Sequence, residues 1–184
     1  VNGVDHLGPD APNDVMYRLA DGEHYGWPYC YVSDGVLQPE TSRTWKKPMS
    51  CSEAPPPFAV FEPHSAPLGI RYFAHAHPVL QGHFLVSLHG SFDPKIGTGY
   101  EIRRVSKNGK QEVFMNGFLH GDTATTTGWL TKTVYAHEFE DIVDEGERVG
   151  RPVDILQHDE NSFFFTDDHT GRIYYVYAAE NTPE

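Results

Sequence analysis

The sequence predicts an all-β protein, and three observations carry that prediction. Short apolar runs with a two-residue period are separated by Gly, Asn and Asp turns, the pattern of strands and hairpins. Aromatic residues make up 13% of the chain beside 17 Gly and 14 Pro, a mixture that favours short strands and tight turns. The third observation is a partial internal repeat.

The strands are predicted in order. Residues 15–19 (Val-Met-Tyr-Arg-Leu) stop at Asp21-Gly22, and residues 68–74 carry Ile70, Tyr72 and Phe73. Residues 83–88 (His-Phe-Leu-Val-Ser-Leu) are apolar enough to be buried, and residues 100–105 alternate up to Asn108-Gly109. Residues 153–156 lead to a turn at Asp159, Glu160 and Asn161, residues 162–166 follow, and Asp167 to Gly171 turns into residues 172–177. The stretches 83–105 and 162–176 echo each other as apolar strand, turn, then a Gly with Ile and Val behind it. Between them, residues 119–147 read as a polar, acidic insertion with a short helix over 137–144. It is either a surface excursion or a lid or partner-docking loop. Without most of it the repeat is roughly 40–45 residues, the length of a four-stranded propeller blade. Two copies fit a propeller, a sandwich or another barrel.

Charge removes several function classes. There are 14 Lys plus Arg against 26 Asp plus Glu in 184 residues, a net −12. A nucleic-acid binder needs a basic face, and so does a protein docking on anionic lipid. A basic partner would be attracted instead. The apolar runs are far too short to span a membrane. Cys30 and Cys51 form no Cys-x-x-Cys pair, which argues against a zinc knuckle or a thioredoxin-type site. The stretch between them reads as a loop. Both a bridge, which would imply an oxidising compartment, and two separate buried thiols are compatible with the sequence.

Candidate chemistry is sparse. Residues 2–14 pack Asp5, Asp10 and Asp14 with Gly and Pro, which suits either a hard-cation loop or a solvated turn. His75, His77 and His83 are spaced for a transition metal, although 11 histidines make chance neighbours common. His64, His89 and Arg151 lie at strand ends, where a propeller would point them at its central channel. No Gly-x-Ser-x-Gly elbow, P-loop or dinucleotide fingerprint is present.

A set of segments in fixed order then resembles the soluble glucose/sorbosone dehydrogenases. They are Asp5-His6-Leu7-Gly8-Pro9-Asp10, Pro12-Asn13-Asp14 and His24-Tyr25-Gly26-Trp27-Pro28-Tyr29-Cys30. His64-Ser65-Ala66-Pro67-Leu68-Gly69, Ser87-Leu88-His89-Gly90-Ser91, Gly99-Tyr100, Gly150-Arg151-Pro152-Val153 and Thr166-Asp167-Asp168 through Gly171-Arg172-Ile173-Tyr174 continue it. These are aldose sugar dehydrogenases that use pyrroloquinoline quinone (PQQ). The resemblance implies a six-bladed β-propeller of about twice this length. Residues 1–184 would be its C-terminal half, about three blades, with a surface insertion at 119–147, and the N-terminal half would be its partner.

The resemblance also implies a chemistry. An aldose is oxidised at C1 to its lactone, hydride passes to PQQ held with Ca²⁺, and electrons leave for an external acceptor such as a cytochrome. Asp14, His64, His89 and Arg151 would lie against the cofactor, Arg151 by pairing a carboxylate and His89 as a weak, pH-dependent cation. Asn2 and Gly3 are the nearest equivalents of the carbonyl ligands of Ca²⁺. No catalytic base is expected here, because the family's histidine base falls upstream of Val1, and His24 is expected to be structural. A Cys30–Cys51 bridge and a periplasmic or secreted location are implied as well. The alternatives are a non-catalytic propeller that binds a partner or glycan, and a Ca²⁺-dependent lactonase.

Overall fold

The computed structural model describes residues 1–4, 7–119, 128–136 and 148–179. Twelve strands occur among them: β1 (Asn13–Met16), β2 (Cys30–Ser33), β3 (Val36–Pro39), β4 (Ala59–Pro63), β5 (Pro67–Phe73), β6 (His83–Leu88), β7 (Glu101–Ser106), β8 (Gln111–Met115), β9 (Trp129–Ala136), β10 (Pro152–Asp159), β11 (Ser162–Asp167) and β12 (Arg172–Ala178). They form two four-stranded sheets, β5-β6-β7-β8 and β10-β11-β12-β9, and two two-stranded ones, β1-β4 and β2-β3. All pairings are antiparallel. The fold is all-β, as predicted. No helix among the described residues is long and apolar enough to cross a membrane.

Alternation of side chains explains how the sheets stack. Leu85 of β6 faces a core shared with Phe163 and Phe165 of β11, Ile155 of β10, Val176 of β12 and Trp129 of β9. Val86 and Leu88 of β6 face the opposite way, against Ala59 and Phe61 of β4. The β5–β8 sheet is therefore buried on both faces, which is why β6 reads as an almost continuous apolar run. Burying each of these large side chains contributes about 2 kcal/mol. The β10–β9 sheet carries a second apolar row, Leu156, Phe164 and Tyr175, on the side away from this core.

The contact between the two four-stranded sheets is tight where β5 meets β10. A Cβ on Gly69 would lie 2.5 Å from the Val153 carbonyl oxygen and 2.7 Å from the Asp154 Cα, so this position takes only glycine. The buried Ser87 hydroxyl donates to the Val153 carbonyl at 2.5 Å and accepts from the Gly69 N–H at 2.9 Å.

The two echoed stretches are the second and third strands of the two four-stranded sheets. Several elements differ from prediction. The first strand is 13–16 rather than 15–19, and β4 and β8 were not predicted. The stretch between the cysteines is not all loop: β2 and β3 form a hairpin around Asp34-Gly35, both at positive φ, with the Cys30–Cys51 disulfide beside it. Within 119–147, β9 is not a surface excursion, because it pairs along β12 as the outer strand of its sheet. Residues 120–127 and 137–147, including the predicted helix, lie outside the described residues, as do Asp5 and His6.

Candidate functional site

One edge of the stacked sheets collects the ends of β4, β6 and β11 and the starts of β5, β7 and β10. Three of the four non-glycine residues with positive φ among the described residues lie here: His64 (63°), Ala66 (52°) and Tyr100 (57°). Left-handed backbone in such residues is strained and is held only where the surroundings over-determine it.

Asp14 supplies part of that hold. It is 2% exposed on β1. Its Oδ1 accepts the Gly3 N–H at 2.6 Å, and its Oδ2 accepts the Ala66 N–H at 2.7 Å and the Ser65 hydroxyl at 3.3 Å. Three donors offset the cost of burying the charge. His64, next in the same loop, donates from Nε2 to the Gly8 carbonyl at 2.8 Å.

The 64–66 loop is bonded in turn to the segment after β6. The His89 and Gly90 N–H groups donate to the Ala66 and Ser65 carbonyls at 3.0 and 2.9 Å. Gly90, at φ 93°, leaves room for the Tyr100 ring, whose atoms would be 2.6 Å from any Cβ there. Arg151 lies over that ring, 5.8 Å from its centroid. It donates from Nε to the His89 carbonyl at 3.1 Å and from Nη2 to the Gly90 carbonyl at 2.6 Å. The Arg151 N–H donates to Oδ1 of the buried Asp167 at 3.0 Å, and Asp167 also accepts from Thr170. The His89 Nε2 meets Asp168 Oδ1 at 2.8 Å.

Hydrogen bonds thus link Asp14, the 64–66 loop, His89 and Arg151 across three sheets, so the structure brings together four of the residues singled out in the sequence. Two of them have partners that the sequence did not show. Arg151 turns donors onto backbone carbonyls of the 89–91 segment, where the sequence suggested a fork for a ligand carboxylate. Burial pushes the His89 imidazole below its ordinary value. The Arg151 charge adds to this, while the Asp168 hydrogen bond and the Asp168 and Asp167 charges resist it. Burial and the Arg151 charge thus favour the neutral ring over the cation.

Asn2 and Gly3 part ways. Asn2 lines an open concavity of about 540 Å³ with Pro67, Leu68, Gly69, Val153 and Asp154, while the Gly3 N–H is turned to Asp14. Among the described residues, no group of three or more His, Cys, Asp or Glu is gathered as a metal would require, His75, His77 and His83 included. At this edge Arg151 supplies a positive charge and His89 a neutral ring, beside the Asp167 and Asp168 carboxylates. The Asp14 oxygens already accept three protein donors.

Asp167, Asp168 and Tyr100 belong to this edge; in the sequence they were read as turn and strand residues and as members of the resembling segments, with no site role. The signal that could have found them is the pair of consecutive carboxylates closing a strand, since paired acids at a strand end have partners to find in space.

Comparison with known proteins bears on the family and the fold. The TrAA12-like family model matches residues 10–179. An uncharacterized protein of Borreliella burgdorferi is 27% identical over 187 residues, covering 96% of this chain and 42% of that protein. The calcium structure of the Trichoderma reesei family AA12 carbohydrate-active enzyme superposes with a TM-score of 0.58 at 20% identity, over 94% of this chain and 44% of that one. The holo PQQ domain of pyranose dehydrogenase from Coprinopsis cinerea gives a TM-score of 0.51 at 18% identity, over 91% of this chain and 44% of that one. These two likenesses are of fold. The chain spans less than half the length of the relatives it matches.

Proposed function

The chain belongs to the TrAA12-like family, and from that membership we propose that it is part of a PQQ-dependent sugar dehydrogenase that oxidises an aldose at C1 to its lactone and passes electrons to an external acceptor. The observation that carries this reading is the bonded edge joining Asp14, His89 and Arg151 at the strand ends. The ordered motifs shared with glucose/sorbosone dehydrogenases support the aldose. On this reading the chain contributes about three blades of a six-bladed propeller. The remaining polypeptide, which the length of the relatives leaves room for, covers the apolar row of Leu156, Phe164 and Tyr175 and brings the histidine base and the Ca²⁺ ligands. The net charge of −12 favours a basic acceptor such as a small cytochrome. The disulfide favours a periplasmic or secreted location.

Bound at this edge, the quinone supplies a two-electron oxidant. The chain's own residues bind and orient. Asp14 fixes the 64–66 loop, Arg151 fixes the 89–91 segment, and Asp167 fixes the backbone of Arg151. The test is a PQQ titration of the whole polypeptide containing this chain, followed by dye reduction with an aldose. Saturable binding, weakened at least tenfold by Arg151→Ala, supports the reading. Unchanged affinity in the variant overturns the residue assignment, and no PQQ binding overturns the function. A second reading, a non-catalytic glycan or partner binder, is favoured by Asp167 and Asp168, whose charges oppose a tricarboxylate. It predicts glycan binding with no PQQ uptake.

A further inference from the structure

The chain is acidic, yet three of its 14 basic residues, Arg43, Lys46 and Lys47, fall close together in a stretch from 41 to 52 that holds no Asp or Glu. All three residues are exposed. Among the described residues, none of their side chains makes an ion pair or a hydrogen bond, whereas Arg103, Arg104 and Lys110 are each paired with a glutamate. The strap that carries them is nonetheless fixed at both ends. The Glu40 N–H donates to the Tyr29 carbonyl at 2.7 Å, and Cys51 is bridged to Cys30. Between those ends the Trp45 ring stands edge-on to Tyr29, with 5.3 Å between centroids, and Tyr29 packs in turn against His24 at 5.9 Å. Trp45 Nε1 is sealed from solvent while the residue as a whole is only partly buried, so the indole is anchored by that edge and keeps part of its ring open. Neighbouring like charges repel, and no carboxylate within the strap offsets them, so an anion from outside it is the group that relieves them. No residue of the strap enters the hydrogen bonds joining Asp14, His89 and Arg151.

We propose that residues 43–47 bind an acidic polysaccharide, a chain of sugars that carry a carboxylate on the ring. Lys46, Lys47 and the fork of Arg43 pair its carboxylates. The open part of Trp45 takes the C–H face of a sugar, whose slightly positive hydrogens match the negative face of an indole. Two observations select this polyanion over others. The disulfide implies an oxidising compartment, away from cytosolic nucleic acid. The net charge of −12 opposes the approach of a large, densely charged surface such as duplex DNA or an anionic membrane, whereas a single polysaccharide strand touches the strap alone. The inference rests on neither reading of the strand-end edge. It tethers the protein to a polymer and leaves the chemistry of that edge as it was.

The experiment uses the whole polypeptide containing this chain. The probes are polygalacturonate, a neutral glucan, phosphatidylglycerol vesicles and duplex DNA, with binding read by calorimetry at low salt. Saturable binding to polygalacturonate and none to the neutral glucan is expected, and it should vanish in about 1 M salt, where the screening length is about 3 Å. Arg43→Gln, Lys46→Gln and Lys47→Gln together are expected to weaken it about tenfold or more. The melting temperature should not change, since these side chains have no partner to lose. Removing three other exposed charges, by Lys95→Gln, Lys107→Gln and Lys132→Gln, is expected to leave most of the affinity in place. No binding at low salt, equal weakening by the two triple variants, or equal uptake of vesicles or DNA overturns the proposal. If the first triple variant melts lower, Lys46→Gln with Lys47→Gln is read in its place, and unchanged affinity there overturns the proposal. A PQQ titration of the same variants keeps the readings apart. Lost polygalacturonate binding with unchanged PQQ uptake supports a strap separate from the strand-end edge. Absence of PQQ uptake in the wild type overturns the dehydrogenase reading and leaves the binding by the strap standing.

Discussion

Ser87 and Val153, 66 residues apart, are joined by a hydrogen bond from the Ser87 hydroxyl to the Val153 carbonyl, and this bond fastens β6 to β10, an edge strand of the next sheet. The same hydroxyl accepts the Gly69 N–H, so one side chain serves the two strands that meet beneath the candidate site. Ser87→Ala strands two buried backbone groups. Denaturant unfolding is expected to show a loss of about 1–3 kcal/mol. Gly69→Ala pushes a methyl into backbone rather than into a yielding side chain, and is expected to be worse than Ser87→Ala in the same assay.

Asp14→Ala removes the acceptor for three donors at once. The expected loss is about 3 kcal/mol or more, above that of Ser87→Ala. The 64–66 loop should loosen with it, since His64 and Ala66 hold positive φ. Amide exchange at Ala66 is the measurement, and exchange as slow as wild type would show that Asp14 does not set that loop.

Protonation of His89 should weaken the fold. Its value in the folded protein is depressed by burial, so the unfolded chain binds the proton more readily. Its contribution is complete above the ordinary histidine value of about 6.5. It is lost as the pH falls from there through the lower folded value. A plot of unfolding free energy against pH should flatten in that window in His89→Gln, and an unchanged slope would assign the effect to another histidine.

Reduction of the Cys30–Cys51 disulfide opens a loop with a sequence separation of 21. The expected cost is about 3 kcal/mol, seen as a lower melting temperature in reductant. The hydrogen bonds linking Asp14, Ala66, His89 and Arg151 use no residue between the cysteines. Below the new melting temperature the His89 ring signals should therefore stay where they were.

Strands buried on both faces were legible because their apolar runs are dense, as in β6 and β11. The β2–β3 hairpin was hidden by its neighbours: Pro39 and the polar residues after it read as loop, although Asp34-Gly35 between Tyr31-Val32 and Val36-Leu37 is a strong hairpin signal. β9 was hidden because Trp129 and Leu130 follow a run of threonines and precede an acidic stretch, so the local composition read as excursion. His89 and Arg151 were marked by their places at strand ends, and only resemblance gave them a role. Asp168 stood in one of the resembling segments and beside a second acid, but its pairing with His89, 79 residues away, was not legible, since an acid between a strand and a glycine looks like any turn former until its partner is seen.

β9 is the outer strand of its sheet yet precedes the other three in the chain, and its partner is β12. During synthesis it would leave the ribosome with nothing to pair against. Through the making of β10 and β11 its Trp129 and Leu130 would stay open to chaperones and to other chains. Only the arrival of β12 relieves it. The vulnerable moment for this protein is thus set by the order of its strands, and substitutions that slow the closure of β12 should show up as poor yield before they show up as poor stability.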